Sequence, residues 1–197
     1  MIDAKKEICD FIKENGGFIT YLQMKNSGFS YSLLAKMLEN HELERDERGI
    51  YRLPNVYVDE YYILQYRFPK GVFSLETALW FHDLSLTVPF EPVMSFPFGT
   101  NTKMIKAAGI RPVILRRNYD VGIVKIKTPG GQKVRVYEAE RTLVECLRPT
   151  YKIDVQVIAP AFKIYSSRGK IDYSKLHKYA SLFKVEKKVQ SYLEVLE

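Results

Sequence analysis

The sequence predicts a mixed α+β chain in two parts. The first is a small unit of three helices and a β-hairpin. The second is a larger α/β domain with a small mixed sheet, a basic β-hairpin and a helical C-terminal tail. Three observations predict this. Before residue 54, apolar residues recur at helical spacing in short segments punctuated by Gly and Asn. After residue 90, several segments alternate at strand spacing. The excess positive charge lies almost wholly in the second part.

In the first part, Ile8, Phe11 and Ile12 share one face over residues 3–15, which predicts a helix that Gly16-Gly17 stops. Thr20 is suited to cap a short second helix ended by Asn26-Ser27-Gly28. Ser30 is suited to cap a third, from about Tyr31 to Asn40, with Leu33, Leu34, Met37 and Leu38 as its apolar face. Phe29, in the tight turn after Gly28, is expected to point inward. Leu43, and then Ile50, Tyr51 and Leu53, flank a polar turn ending in Gly49, the pattern of a hairpin, and Pro54 closes the unit. Three short helices, a tight turn between the second and third, and a hairpin form the order of a winged helix-turn-helix.

Residues 55–70 read as a connecting segment packed between domains, with Tyr57, Tyr61, Tyr62 and Tyr66 at partly helical spacing. A free linker would be richer in Gly, Ser and Pro. The second domain spans residues 71–197. Ser74 is expected to cap a helix through Leu84; Pro92–Phe98 and Pro112–Arg116 read as strands, and Thr102–Ala108 as a short helix ended by Gly109. Val121–Lys127 and Lys133–Tyr137 form a hairpin around Pro129-Gly130-Gly131. A helix over Glu138–Leu147 follows, then three more from Asp154 on, broken at Arg168-Gly169 and near Phe183-Lys184.

With 46% hydrophobic and 27% charged residues among 197, the chain has the balance of ordinary globular domains. No apolar run approaches the roughly 18 residues of a membrane span, so no membrane partner is expected. The N-terminal segment alternates charged and apolar residues, unlike a secretory signal, and a cytoplasmic location is expected. Cys9 and Cys146 have neither metal-ligand nor redox spacing and read as buried structural thiols. His41, His82 and His177 lack ligand spacing, and there is no nucleophile elbow, P-loop or dinucleotide fingerprint. Glu138, Glu140 and Glu145 share a helix with Arg141. Ion pairing from Arg141 to Glu138 (i−3) and Glu145 (i+4) accounts for them more simply than a metal-dependent nuclease site does. No catalytic residue, cofactor or metal is expected.

The candidate DNA-contacting residues come from the third helix and its surroundings. Ser30, Tyr31, Ser32 and Lys36 face away from its apolar side; Gln23 and Lys25 are added from the second helix, and Arg45 and Arg48 from the hairpin. Charge sets a condition on this reading. Residues 1–54 carry eight Lys/Arg and nine Asp/Glu, against twenty-two and fourteen in the remainder. A unit with no positive excess makes few phosphate contacts, and those contacts dominate affinity. The second domain supplies the missing charge. Lys125 and Lys127 share one face of a strand, and Lys133 and Arg135 the same face of its partner. Arg111, Arg116 and Arg117 are expected to extend this patch, which would meet either DNA backbone or an acidic protein partner.

The chain resembles the AbiEi antitoxins of type IV abortive-infection toxin–antitoxin pairs. The resemblance runs through Gly17–Ser30 (GFITYLQMKNSGFS), Arg48–Pro54 (RGIYRLP), Gly71–Leu84 (GVFSLETALWFHDL) and Tyr137–Arg148 (YEAERTLVECLR), in that order. It implies an autorepressor whose winged helix binds double-stranded promoter DNA bearing inverted repeats. It implies a second domain that counters a nucleotidyltransferase-like toxin without needing a stable complex. It further implies a monomer in solution, with two copies cooperating on the paired repeats. The alternative reading is a stand-alone winged-helix regulator whose α/β domain senses a ligand or partner.

Overall fold

The computed structural model describes residues 2–47 and 49–196. Among them the fold is mixed α+β, with ten α-helices and two sheets, of three and five strands. The chain divides into two compact units, Met1–Tyr66 with Pro129–Gln132, and Arg67–Thr128 with Lys133–Glu197. No helix among the described residues is long and apolar enough to cross a membrane.

The first unit contains α1 (Ile2–Glu14), β1 (Phe18–Thr20), α2 (Tyr21–Asn26), α3 (Tyr31–Glu39), β2 (Glu44–Glu47), β3 (Ile50–Arg52) and most of α4 (Glu60–Arg67). Its sheet runs β1-β3-β2, antiparallel throughout. One core joins Ile8 and Ile12 of α1, Ile19 of β1, Met24 of α2 and Leu34 and Met37 of α3 to Leu43 and Tyr51. Each such side chain, fully buried, contributes about 1.5–3 kcal/mol. Phe29 packs on this core as expected, edge-on to Phe11 at 5.3 Å between centroids.

The sequence showed no strand at Phe18–Thr20, because β1 is short and covered on both sides. Ile19 enters the helical core, while Phe18 packs with Ile50 and Val58 against Tyr62, Ile63 and Tyr66. A strand buried on both faces does not alternate. The same packing corrects the expected boundary. Residues 55–66 belong to the first unit rather than forming a connection, since Val58 and α4 cover the second face of its sheet. Asp59 ties the segment further: its carboxylate accepts from Tyr61 N at 2.8 Å and from Gly130 N at 3.2 Å. Gly17, at φ +84°, must be glycine, because a Cβ there would lie 2.7 Å from Val56.

The second unit contains β4 (Val72–Phe73), α5 (Leu75–Phe81), β5 (Val93–Pro97), α6 (Lys103–Ala107), β6 (Arg111–Leu115), β7 (Ile123–Lys127) and β8 (Lys133–Tyr137). These are followed by α7 (Ala139–Cys146), a 3-10 turn at Pro149–Tyr151, α8 (Val155–Ser167), α9 (Tyr173–Phe183) and α10 (Glu186–Leu196). The sheet order is β6-β5-β4-β8-β7. The outer pairs β5/β6 and β7/β8 are parallel and antiparallel respectively, and the two-residue β4 joins them, antiparallel to β5 and parallel to β8. Leu143, Val144 and Leu147 of the α7 segment pack with Ile158, Phe162, Leu176, Tyr179 and Val189 from the C-terminal helices. Ser74 precedes α5 but makes no capping bond; its hydroxyl instead accepts from Ser95 at 2.9 Å inside the sheet.

Candidate nucleic-acid interface

The α2–α3 segment is built from local bonds. Thr20 and Gln23 form a capping box at the start of α2: Thr20 Oγ1 accepts from Gln23 N at 3.2 Å, and Gln23 Oε1 accepts from Thr20 N at 2.9 Å. The carboxamide oxygen of Gln23 is thus held by the cap, which gives this candidate DNA contact a structural task as well. The short turn at Ser27–Gly28 leads into α3. Leu34 and Met37 are buried, while Tyr31, Ser32, Lys36 and Glu39 are exposed. Ser30 precedes α3 without a side-chain cap; its hydroxyl bonds that of Ser32 at 2.6 Å, so the two act as one polar pair.

Beside Tyr31 lies a groove of about 600 Å³ lined by Tyr21, Tyr31, Arg45, Gly49, Tyr51 and Tyr66. The Tyr21 and Tyr31 rings meet edge to face at 6.3 Å, and Arg45 on β2 stands opposite Tyr51 on β3. Burial raises the Tyr51 and Tyr66 phenols above their ordinary range, so both stay protonated donors at neutral pH. Phenolic hydroxyls around one guanidinium suit phosphate and sugar oxygens. Arg48 lies outside the described residues.

Part of the charge of this unit is paired internally. Arg52 pairs with Glu44 at 2.5 Å and Asp46 at 2.7 Å, and Lys5 pairs with Glu42 at 2.6 Å. Lys25, Lys36 and Arg45 are exposed and make no ion pair among the described residues. Three exposed cations, one each on α2, α3 and β2, are thus left outside ion pairs.

In the second unit, the hairpin register sets Lys125 opposite Arg135 and Lys127 opposite Lys133. The three lysines are exposed, while Val134 and Val136 are buried on the other face. Val124 and Ile126 are only half-buried, because β7 is the sheet edge. Arg135 is partly committed, donating to Pro69 O at 3.0 Å with its guanidinium 5.9 Å from the Tyr119 ring centroid.

The other arginines do not extend this patch. The strand order puts β6 and β7 at opposite edges, four strand spacings or about 19 Å apart. Arg111 of β6 pairs with Glu76 at 2.5 Å. Arg116 and Arg117 instead line a cleft with Arg148, Tyr151 and Lys184. Sequence reasoning missed Arg148 and Lys184, since nothing in linear spacing brings α7 and α9 to the end of β6.

The acids at the start of α7 and within it are engaged by neighbouring groups. Glu145 bonds Arg141 at 3.4 Å, as helical spacing predicts, but Glu138 does not pair with Arg141. Glu138 accepts from Lys175 Nζ at 2.8 Å and from the Tyr179 hydroxyl. These hydrogen bonds outweigh the upward push of burial and hold its carboxyl below the usual range. Arg141 is fully buried, its guanidinium over the Tyr137 ring at 3.3 Å, donating to Asn118 O at 2.8 Å and to Val121 O. Cys146 is buried, which pushes its thiol well up, whereas Cys9 is only half-buried.

No protein-family model matches the chain, and no curated protein sequence matches it. Among solved structures, the crystal structure of the RV2827C protein from Mycobacterium tuberculosis aligns with a TM-score of 0.56. The alignment covers 98% of this chain and 81% of that one at 11% identity, a likeness of fold.

Proposed function

We propose that this chain is a DNA-binding autorepressor whose first unit is a winged helix-turn-helix, with α3 as the reading helix and β2–β3 as the wing. The observation that carries the reading is α3 itself. It follows a short turn, buries Leu34 and Met37, and turns Tyr31, Ser32 and Lys36 to solvent beside an aromatic groove holding Arg45. The N-terminal part of such a helix is the part that enters a major groove. The free lysines of the β7–β8 hairpin add backbone charge. The four segments that resemble AbiEi antitoxins support a second role, countering a nucleotidyltransferase-like toxin through the second unit. The double-stranded DNA would carry inverted repeats, bound by two cooperating copies.

Binding to the DNA upstream of its own operon tests the first role. Lys36→Ala should weaken it and lower the salt slope by about 0.9, one phosphate contact. Co-expression with the adjacent open reading frame tests the second. Growth should be rescued by the full chain, and absence of rescue would remove the antitoxin reading while leaving the repressor reading in place.

A further inference from the structure

We propose that the cleft at the end of β6, wholly within the second unit, binds a nucleoside polyphosphate. The cleft measures about 460 Å³, within the range of small-ligand sites. Four cations line it: Arg116 and Arg117 from the loop after β6, Arg148 after α7, and Lys184 at the end of α9. No carboxylate shares the lining. Among the described residues Arg116, Arg117 and Lys184 make no ion pair. Such a concentration of like charge is compensated best by a compact polyanion.

Two of the four cations, Arg148 and Arg116, are held by neighbouring side chains, Arg148 pairing with Glu145 at 3.6 Å. Arg148 donates to the Tyr151 hydroxyl at 3.0 Å, and Tyr151 donates to the buried Glu145 carboxylate at 3.3 Å. The Arg148 guanidinium also lies 5.2 Å from the Phe183 ring centroid. Arg116 stacks over Phe98 at 4.6 Å. From beneath, Arg141 donates to the backbone carbonyls of Asn118 and Val121, fixing the loop that presents Arg116 and Arg117. Sites ordered before binding lose less entropy on binding.

The rest of the lining argues for more than phosphate. Ile114 and Leu182 leave apolar surface exposed, 37% and 36%, at the same cleft. An arginine fork recognises phosphate oxygens, and adjoining apolar and aromatic faces receive a planar base. Inorganic phosphate or pyrophosphate would use only the cationic side. The inference stands apart from the winged-helix reading, because none of these residues lies in the first unit.

The test is equilibrium binding of ATP, GTP and CTP to the full chain by calorimetry, with pyrophosphate and a single-stranded oligonucleotide as competitors. Arg117→Glu and Lys184→Glu, both at exposed positions, should each weaken nucleotide binding by about tenfold or more with an unchanged melting temperature. Reversing Lys125, Lys127 and Lys133 should leave it intact. A triphosphate should also bind at least about tenfold tighter than pyrophosphate. The proposal is overturned by any of three results: no nucleotide binding at millimolar concentration, equal affinity for pyrophosphate, or tighter binding of the oligonucleotide. Nucleotide binding insensitive to Arg117→Glu and Lys184→Glu would likewise remove the cleft as its site.

Discussion

Replacing Arg141 by Met is the sharpest test of how the second unit is held together. Arg141 is fully buried and reaches three acceptors: Glu145 at 3.4 Å, Asn118 O at 2.8 Å and Val121 O. Breaking a buried pair by removing one partner costs about 3–5 kcal/mol, because the other charge is left uncompensated. One Arg141 nitrogen, Nη2, is buried without a hydrogen-bond partner. An unsatisfied buried donor costs about 1–3 kcal/mol, which Met would relieve. The net loss therefore belongs at the low end, about 3 kcal/mol. For a unit of roughly 130 residues, an unfolding entropy of about 2.1 cal/mol/K per residue converts this to a drop of about 11 °C in melting temperature. Thermal unfolding followed by circular dichroism reads it. Glu145 is the remaining charge; burial raises its carboxyl, with Arg141 and Arg148 opposing. Glu145→Gln added to Arg141→Met should thus cost less than the sum of the two single changes. A drop under about 4 °C, or strict additivity in the double variant, would show that the Arg141–Glu145 pair does not hold the unit together in this way.

Three other outcomes are expected. Reversing Lys125, Lys127 and Lys133 to Glu should flatten the salt dependence of the proposed DNA binding by about 2.7 in log–log slope, three phosphate contacts at about 0.9 each. Arg135 is left out of that sum because it is tied to Pro69 and Tyr119, and an unchanged slope would take the hairpin off the DNA. Thr20→Ala removes the capping box of α2 and should destabilise the first unit by about 1 kcal/mol, seen as a shifted denaturant midpoint with unchanged m-value. His82 is held below its ordinary value of 6.5, mainly by burial, with its Nε2–H donating to Tyr137 O at 2.7 Å. The unfolded chain therefore takes up the proton first. The His82 contribution to stability is complete above about pH 6.5 and is lost as pH falls below it. Melting from pH 8 to 5 should show this step in the native chain and not in His82→Gln, and parallel profiles would contradict it.

Much of the architecture was legible because helical periodicity and turn residues are local signals. The three N-terminal helices, the β2–β3 hairpin and the lysine face of β7–β8 all follow from spacing within about 15 residues. The elements that were not legible depend on distant partners. β1 and β4 have three and two residues and no alternation, being buried by segments far along the chain. Residues 55–66 read as a connection because their role, covering Phe18 and Ile50, is set by tertiary packing. For the candidate interface, exposure of Tyr31, Ser32 and Lys36 could be read from α3 alone. The commitment of Gln23 to Thr20 could have been read from its i+3 spacing, the signature of a capping box. The separation of Arg116 and Arg117 from the hairpin could not, since strand order is not encoded in the spacing between strands.

Fluorescence anisotropy on two duplexes decides whether α3 reads DNA sequence, as proposed. One carries the proposed target, inverted repeats from the DNA upstream of its own coding sequence, and the other a scrambled version, each titrated with the native chain and with Tyr31→Ala/Ser32→Ala/Lys36→Ala. The side chains changed are exposed, so the fold is expected to persist. The native chain should prefer the repeats, and the triple variant should lose that preference by about tenfold or more while retaining weak, salt-sensitive binding to both duplexes. A triple variant with the native preference would contradict sequence reading by α3.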